Sequence, residues 1–123
     1  RVISYPGSLT CICFQLECDL PNKHRTHVPL YRFEMCPIRP HLNKMYGDDD
    51  INGLPIAAGQ THEHSFYDSL TGKGDLRSNA CEQARISIDP PQDYANGLAY
   101  VCSRINIKNG SDVPKPRNQG RLF

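Results

Sequence analysis

SLTCICFQLEC, residues 8–18, is the stretch whose reading decides the fold class. Its β-branched and apolar residues favour a strand, and it runs into Asp19-Leu20-Pro21-Asn22, a turn signal, so a β-hairpin is expected near the N-terminal end. Further on, VPLYRFEMCP (28–37) has Pro29 where a first helical turn tolerates it, Leu30 and Phe33 three apart, and Pro37 as a stop. That pattern reads as one short helix. THEHSFYD (61–68), ARISI (84–88) and GLAYVCSRINI (97–107) follow as strands, separated by Gly, Asn, Asp and Pro clusters. Asp89-Pro90-Pro91 and Asn96-Gly97 bracket the connection between the last two and predict a second hairpin. The expected class is α+β: a twisted antiparallel sheet, an N-terminal hairpin, one short helix and long loops. No internal repeat or low-complexity segment interrupts it.

The chain of 123 residues has room for one domain, residues 1–123, burying about two thirds of the surface its unfolded form exposes. Hydrophobic residues make up 38% and tryptophan is absent, so the core must rest on Val, Ile, Leu, four Phe and six Tyr with further help. Cys11, Cys13, Cys18, Cys36, Cys81 and Cys102 form an even set without a Cys-x-x-Cys knuckle, which favours three disulfides over a zinc site. Each bridge would add about 2–4 kcal/mol. Spacing does not choose among the possible pairings.

The sequence opens on Arg1, and no apolar run approaches the roughly 20 residues that span a bilayer. The expectation is a secreted, extracellular protein with its leader removed, making no membrane contact. Asn109-Gly110-Ser111 is a glycosylation sequon that fits that route. The formal net charge of +1 conceals an acidic stretch at 47–50 and a basic, Pro/Gly-rich tail over 110–123, with Arg104, Lys108, Lys115, Arg117 and Arg121 facing Asp112 alone from residue 101 onward. Such a tail reads first as a solvated terminus and second as a weak holder of polyanions.

Chemistry could draw on five histidines (His24, His27, His41, His62, His64), on Glu63, and on Arg85 and Arg104. In a strand, Glu63 must point to one face while His62 and His64 point to the other. RPHLNKMYGDDD (39–50) sets His41 beside a tyrosine, a glycine and three aspartates. By itself it reads as an exposed, solvated turn.

The order of these residues resembles the small secreted fungal ribonucleases of the guanyl-specific type and their larger relatives, the ribotoxins. Arg39-Pro40-His41 followed by Tyr46-Gly47-Asp48 is similar to the family's Tyr-Pro-His stretch and its aromatic, acidic loop. Glu63-His64-Ser65-Phe66 resembles the strand that carries the family glutamate, Ala84-Arg85-Ile86-Ser87-Ile88 the arginine strand, and Leu98-Ala99-Tyr100-Val101 the last strand, which reaches Arg104 where the family has its second histidine. The resemblance spans roughly residues 9 to 107 through short motifs. It implies an N-terminal hairpin, a helix and then a central sheet.

In that family the 2′-hydroxyl of RNA attacks the adjacent phosphorus and leaves a 2′,3′-cyclic phosphate. The resemblance implies Glu63 as the base, Arg85 as the phosphate clamp and His41 as a charged partner, converging on one cleft. Two departures matter: Arg39 replaces the tyrosine, and Arg104 stands where a proton donor belongs. A guanidinium does not deliver a proton near neutrality, and losing general acid catalysis removes about 10²–10⁴-fold of rate. The expectation is therefore a secreted fungal effector on a ribonuclease-like scaffold, monomeric, without cofactor, binding a host protein or RNA, with entry into host cells left open. The alternative is a working endoribonuclease whose acid is His24, His27, His62 or His64. A third class is a metal protein using His62 and His64 with His24 or His27.

Overall fold

The computed structural model describes residues 2–5, 8–21, 24–46, 50–71, 75, 81–112 and 117–118. Among the described residues there are eight strands and one α-helix: β1 (Val2–Tyr5), β2 (Ser8–Leu20), β3 (Arg25–Met35), β4 (His41–Leu42), β5 (Pro55–Ile56), β6 (His62–His64), β7 (Arg85–Ile86), α1 (Tyr94–Arg104) and β8 (Arg117–Asn118). Six strands form one sheet in the order β7-β6-β3-β2-β1-β8, and β4 pairs with β5 as a separate ribbon. All neighbours in the large sheet are antiparallel except β1 and β8, which run parallel. The class is α+β as expected. The basic tail is more than a solvated end, because Arg117–Asn118 joins the sheet edge; residues 113–116 and 119–123 lie outside the described residues.

The N-terminal hairpin forms where the sequence places it, with β2 turning into β3. The two central expectations after it exchange places. Residues 28–37, expected as a helix, belong to β3, where Tyr31, Phe33 and Met35 are buried on one face and Arg32 and Glu34 point to the other. A period of two wins over the single Leu30/Phe33 spacing because the β2 hairpin supplies a partner for every second side chain. Pro29, which cannot donate to a ladder, sits opposite Glu17 at a shift in the β2–β3 register. A bulge of this kind is where an interior strand tolerates proline.

GLAYVCSRINI, expected as a strand, forms most of α1. Asp93 caps it by accepting from the Asn96 N–H at 2.8 Å, a contact worth about 1 kcal/mol. Tyr94, Leu98, Val101 and Ile105 recur at helical spacing and pack on the sheet. Asn96-Gly97 is therefore no turn. A Cβ at Gly97 would come within 2.4 Å of Met35 Sδ and 3.2 Å of Phe14 Cε2, so the glycine lets the helix approach the sheet. The second hairpin gives way to a strand-then-helix order, and the helix follows β1 to β7 in the chain rather than preceding the central strands, with β8 after it.

Ile12, Phe14, Tyr31, Phe33, Met35 and Val101 form the core between the sheet and α1. The Phe33 and Tyr100 rings pack at a tilt of 38° with centroids 4.8 Å apart. The other face is polar. It carries Gln15, Arg32, Glu34, His62 and His64, and residues from 41–44 and 81–84 cover it through hydrogen bonds centred on buried Asn43 and Gln83. No disulfide is found among the six cysteines. The expected bridges are not formed because the fold disperses these residues: Cys11, Cys13 and Cys18 lie along β2, Cys36 lies beside Thr61, and Cys102 lies on α1 against Gly110.

Candidate functional site

β6 divides the site residues, since successive side chains of a strand leave on opposite faces. Glu63 points toward α1. Its Oε2 accepts from the Tyr100 hydroxyl at 2.7 Å and its Oε1 from Arg104 Nε at 2.9 Å. Tyr100 and Arg104 are one helical turn apart, so α1 offers both donors to one carboxylate. Burial and the Glu63 contact push the Tyr100 phenol up to about 12, and Glu63 raises Arg104 further above its ordinary range. Beneath them, burial raises the Tyr31 phenol, with the Glu63 charge adding to it. The Tyr31 hydroxyl has no partner in hydrogen-bond geometry among the described residues. Above this floor opens a groove of about 370 Å³ walled by Leu16, Leu30, Phe66, Tyr67 and Ile105. Tyr67 is 82% exposed at its rim.

Arg85 is the direct cross-strand partner of Glu63. Its guanidinium nevertheless turns away to two carboxylates: Nε and Nη2 donate to Asp68 at 2.9–3.2 Å, and Nη1 and Nη2 donate to Asp50 at 3.0–3.1 Å. These bonds raise its pKa above the usual guanidinium value. Asp50 is the last of the three aspartates in the 39–50 stretch, and it folds back on the protein; Asp48 and Asp49 lie outside the described residues.

His41 stands on the opposite face. Its ring lies 4.9 Å from that of His64 and 5.7 Å from that of His62, and its Nε2 donates to Asn43 Oδ1 at 2.9 Å. Burial lowers its pKa, opposed in part by the Asn43 bond. Of the four residues matched to a ribonuclease site, the fold thus joins Glu63 and Arg104 directly, sets Arg85 beside them but already engaged, and sends His41 elsewhere.

The polar face carries a group that sequence reasoning missed in part. His62 Nε2 lies 2.8 Å and His64 Nε2 3.4 Å from Glu34 Oε2, while their Nδ1 atoms donate to the carbonyls of Gln60 and Gln83 at 2.9 and 3.0 Å. Burial would raise the Glu34 carboxyl, but the bonds to His62 and His64 override it and hold the group well below the usual carboxylate range. Burial lowers the pKa of His64, which is 1% exposed. Glu34 belongs to the segment read as a helix. Once 25–35 is a strand, the register Glu34↔His62 puts it on the histidine face.

His24 and His27, the other imidazoles weighed as acids or metal ligands, lie in and beside the β2–β3 turn with positive φ of 49° and 52°. Both are exposed. Asn109 is exposed at the start of a short 3₁₀ turn, where its amide donates to Asp112 at 3.1 Å. Among the described residues no helix is long and apolar enough to cross a membrane. No family model matches this chain, and neither a curated protein nor a solved structure matches it.

Proposed function

We propose that the chain acts by binding rather than by catalysis, as a secreted effector of the kind made by plant-infecting fungi on a ribonuclease-like scaffold. The observation that carries this reading is the pairing of Glu63 with Tyr100 and Arg104. A general base needs its carboxylate aimed at substrate rather than held in a charge pair by the protein, and an acid on the far side of the phosphorus. Here both Glu63 oxygens accept from the protein, no imidazole shares the groove, and Arg85 is taken up by Asp50 and Asp68. The motif order and the Glu63↔Arg85 pairing support the ribonuclease kinship. The helix after the sheet departs from it.

The same groove suits a host protein better than RNA. Its walls are aliphatic and aromatic, and both of its neighbouring guanidiniums are already neutralised by carboxylates. Aromatic and Arg side chains around an apolar pocket are the usual anchors of protein interfaces, whereas phosphate binding needs uncompensated cations.

Purified protein is expected to leave single-stranded RNA uncut, and Glu63→Gln to change nothing in that assay. Cleavage to 2′,3′-cyclic ends that Glu63→Gln abolishes would replace this reading with the endoribonuclease one. For the partner, affinity capture from plant extract is compared between the native chain and Tyr67→Ser. A protein retained by the first and lost with the second is the expected result.

A further inference from the structure

The strongest unassigned feature is the Glu34–His62–His64 triangle on the face away from that groove. We propose that these three side chains form a binding site for one divalent transition-metal ion, zinc in preference to calcium or magnesium.

The tautomers carry the argument. A carbonyl oxygen can only accept, so the Gln60 and Gln83 carbonyls fix a proton on Nδ1 of His62 and of His64. In each neutral ring the Nε2 then presents a bare lone pair. Both lone pairs converge on the same Glu34 oxygen, itself an acceptor. Three acceptors facing one another inside the protein repel unless something positive lies between them. Without a metal, protons on Nε2 bonded to Glu34 Oε2 fill that place, at a desolvation cost for charge held on rings of 1% exposure. A single divalent ion meets all three lone pairs and leaves the rings neutral.

The dimensions agree. Bonds of about 2.1 Å at tetrahedral angles put ligand atoms about 3.4 Å apart. The three ligand atoms here lie 2.8 and 3.4 Å apart across the carboxylate, and none is more than 4.8 Å from another. Closing the set needs side-chain shifts rather than backbone movement.

Nδ1–H bonded to a backbone carbonyl is the usual outer support of an Nε2 ligand. Here it is itself braced, because the Gln83 side chain accepts from Lys44 N–H at 2.7 Å and donates to the Lys44 carbonyl at 3.1 Å. Two imidazoles with a carboxylate favour zinc and its neighbours over the hard oxygen-seeking ions. A cleft of about 460 Å³, lined among others by Arg32, Arg39 and His41, reaches the Glu34 side of the triangle. That cleft gives the ion a route in, and a water a place to bind.

The test uses the whole, untagged chain after treatment with a chelator. Calorimetric titration with zinc is expected to show one equivalent bound per chain and a raised Tm. Glu34→Gln, whose amide can donate to a bare Nε2 and so preserve the metal-free fold, is expected to weaken zinc binding by at least about 100-fold. His27→Ala is expected to bind as the native chain does. With cobalt in place of zinc, visible bands of a tetrahedral nitrogen–oxygen site should appear. Absence of stoichiometric binding, equal affinity in Glu34→Gln, loss of binding in His27→Ala, or a thiolate-to-cobalt charge-transfer band would each overturn the assignment.

Discussion

On the helix side of the sheet, Ile12, Phe14, Tyr31, Phe33 and Met35 meet α1 through rings and aliphatic groups; on the loop side, His64 donates to the Gln83 carbonyl, the His41 ring packs on those of His62 and His64, and hydrogen bonds tie 41–44 to 81–84. The same three strands supply both faces. The apolar side gains from every buried methylene whatever its orientation. The polar side gains only where donors and acceptors match, and a mismatch there is costly. Stability should therefore reside on the first side and ligand chemistry on the second.

The largest expected effect tests the first half of that comparison. Phe33 is fully buried, at 0% exposure, between Tyr100 and the flanking strands. Phe33→Ala should cost about 3–5 kcal/mol through lost transfer and a cavity, read as a lower urea midpoint at unchanged slope.

Asn43→Ala tests the second half and should cost somewhat less, about 2–4 kcal/mol. Its amide donates to the Ile51 and Ala84 carbonyls at 2.9 and 2.8 Å, and its oxygen accepts from the Ala84 N–H at 2.8 Å. Removing it takes the partner from the Ala84 N–H, the Ala84 carbonyl and the His41 Nε2 proton, while the Ile51 carbonyl keeps the Leu54 N–H. Hydrogen exchange at the Ala84 amide should quicken sharply while amides of β2 and β3 keep their protection. Equal loosening of both regions would mean that the two faces unfold as one unit.

The difference between the faces also explains what could be read from the sequence. The β2–β3 hairpin was legible because an apolar strand and a turn signal both lie in contiguous residues. The helix was misplaced because 28–37 and 97–107 each contain residues compatible with either period. The outcome depended on partners distant in sequence: β2 for the first, the Met35/Phe14 surface for the second. Gly97 shows this most sharply, since its local signal is a turn and its actual role is close approach. On the site side, the opposition of Glu63 to His62 and His64 follows from strand alternation alone. Glu34 was invisible, because its meeting with the histidines is a matter of register between strands 28 residues apart in the chain.

The smallest expected effect bears on the groove, where the apolar face holds the buried Glu63 carboxylate. Tyr100→Phe removes the hydroxyl that donates to Glu63 and leaves the ring on Phe33, so at neutral pH it should cost about 1 kcal/mol. Its sharper signature is in alkali. The Tyr100 phenol titrates near 10 when unfolded and is pushed up to about 12 in the fold by burial and by Glu63, with Arg104 opposing. The folded state therefore holds the proton more tightly than the unfolded state between those values. The associated stability is fully present below about pH 10 and is lost as pH rises toward 12. Tyr31, raised by the same burial and the same carboxylate, adds a loss in the same direction. Urea midpoints measured through this window should fall more gently in Tyr100→Phe than in the native chain, with Tyr31, Tyr94 and Cys81, all raised by burial, contributing to the remaining slope. Identical slopes in the two proteins would mean that Tyr100 keeps its ordinary pKa and that its bond to Glu63 is not maintained in solution, leaving the Glu63 carboxylate open to a ligand in the groove.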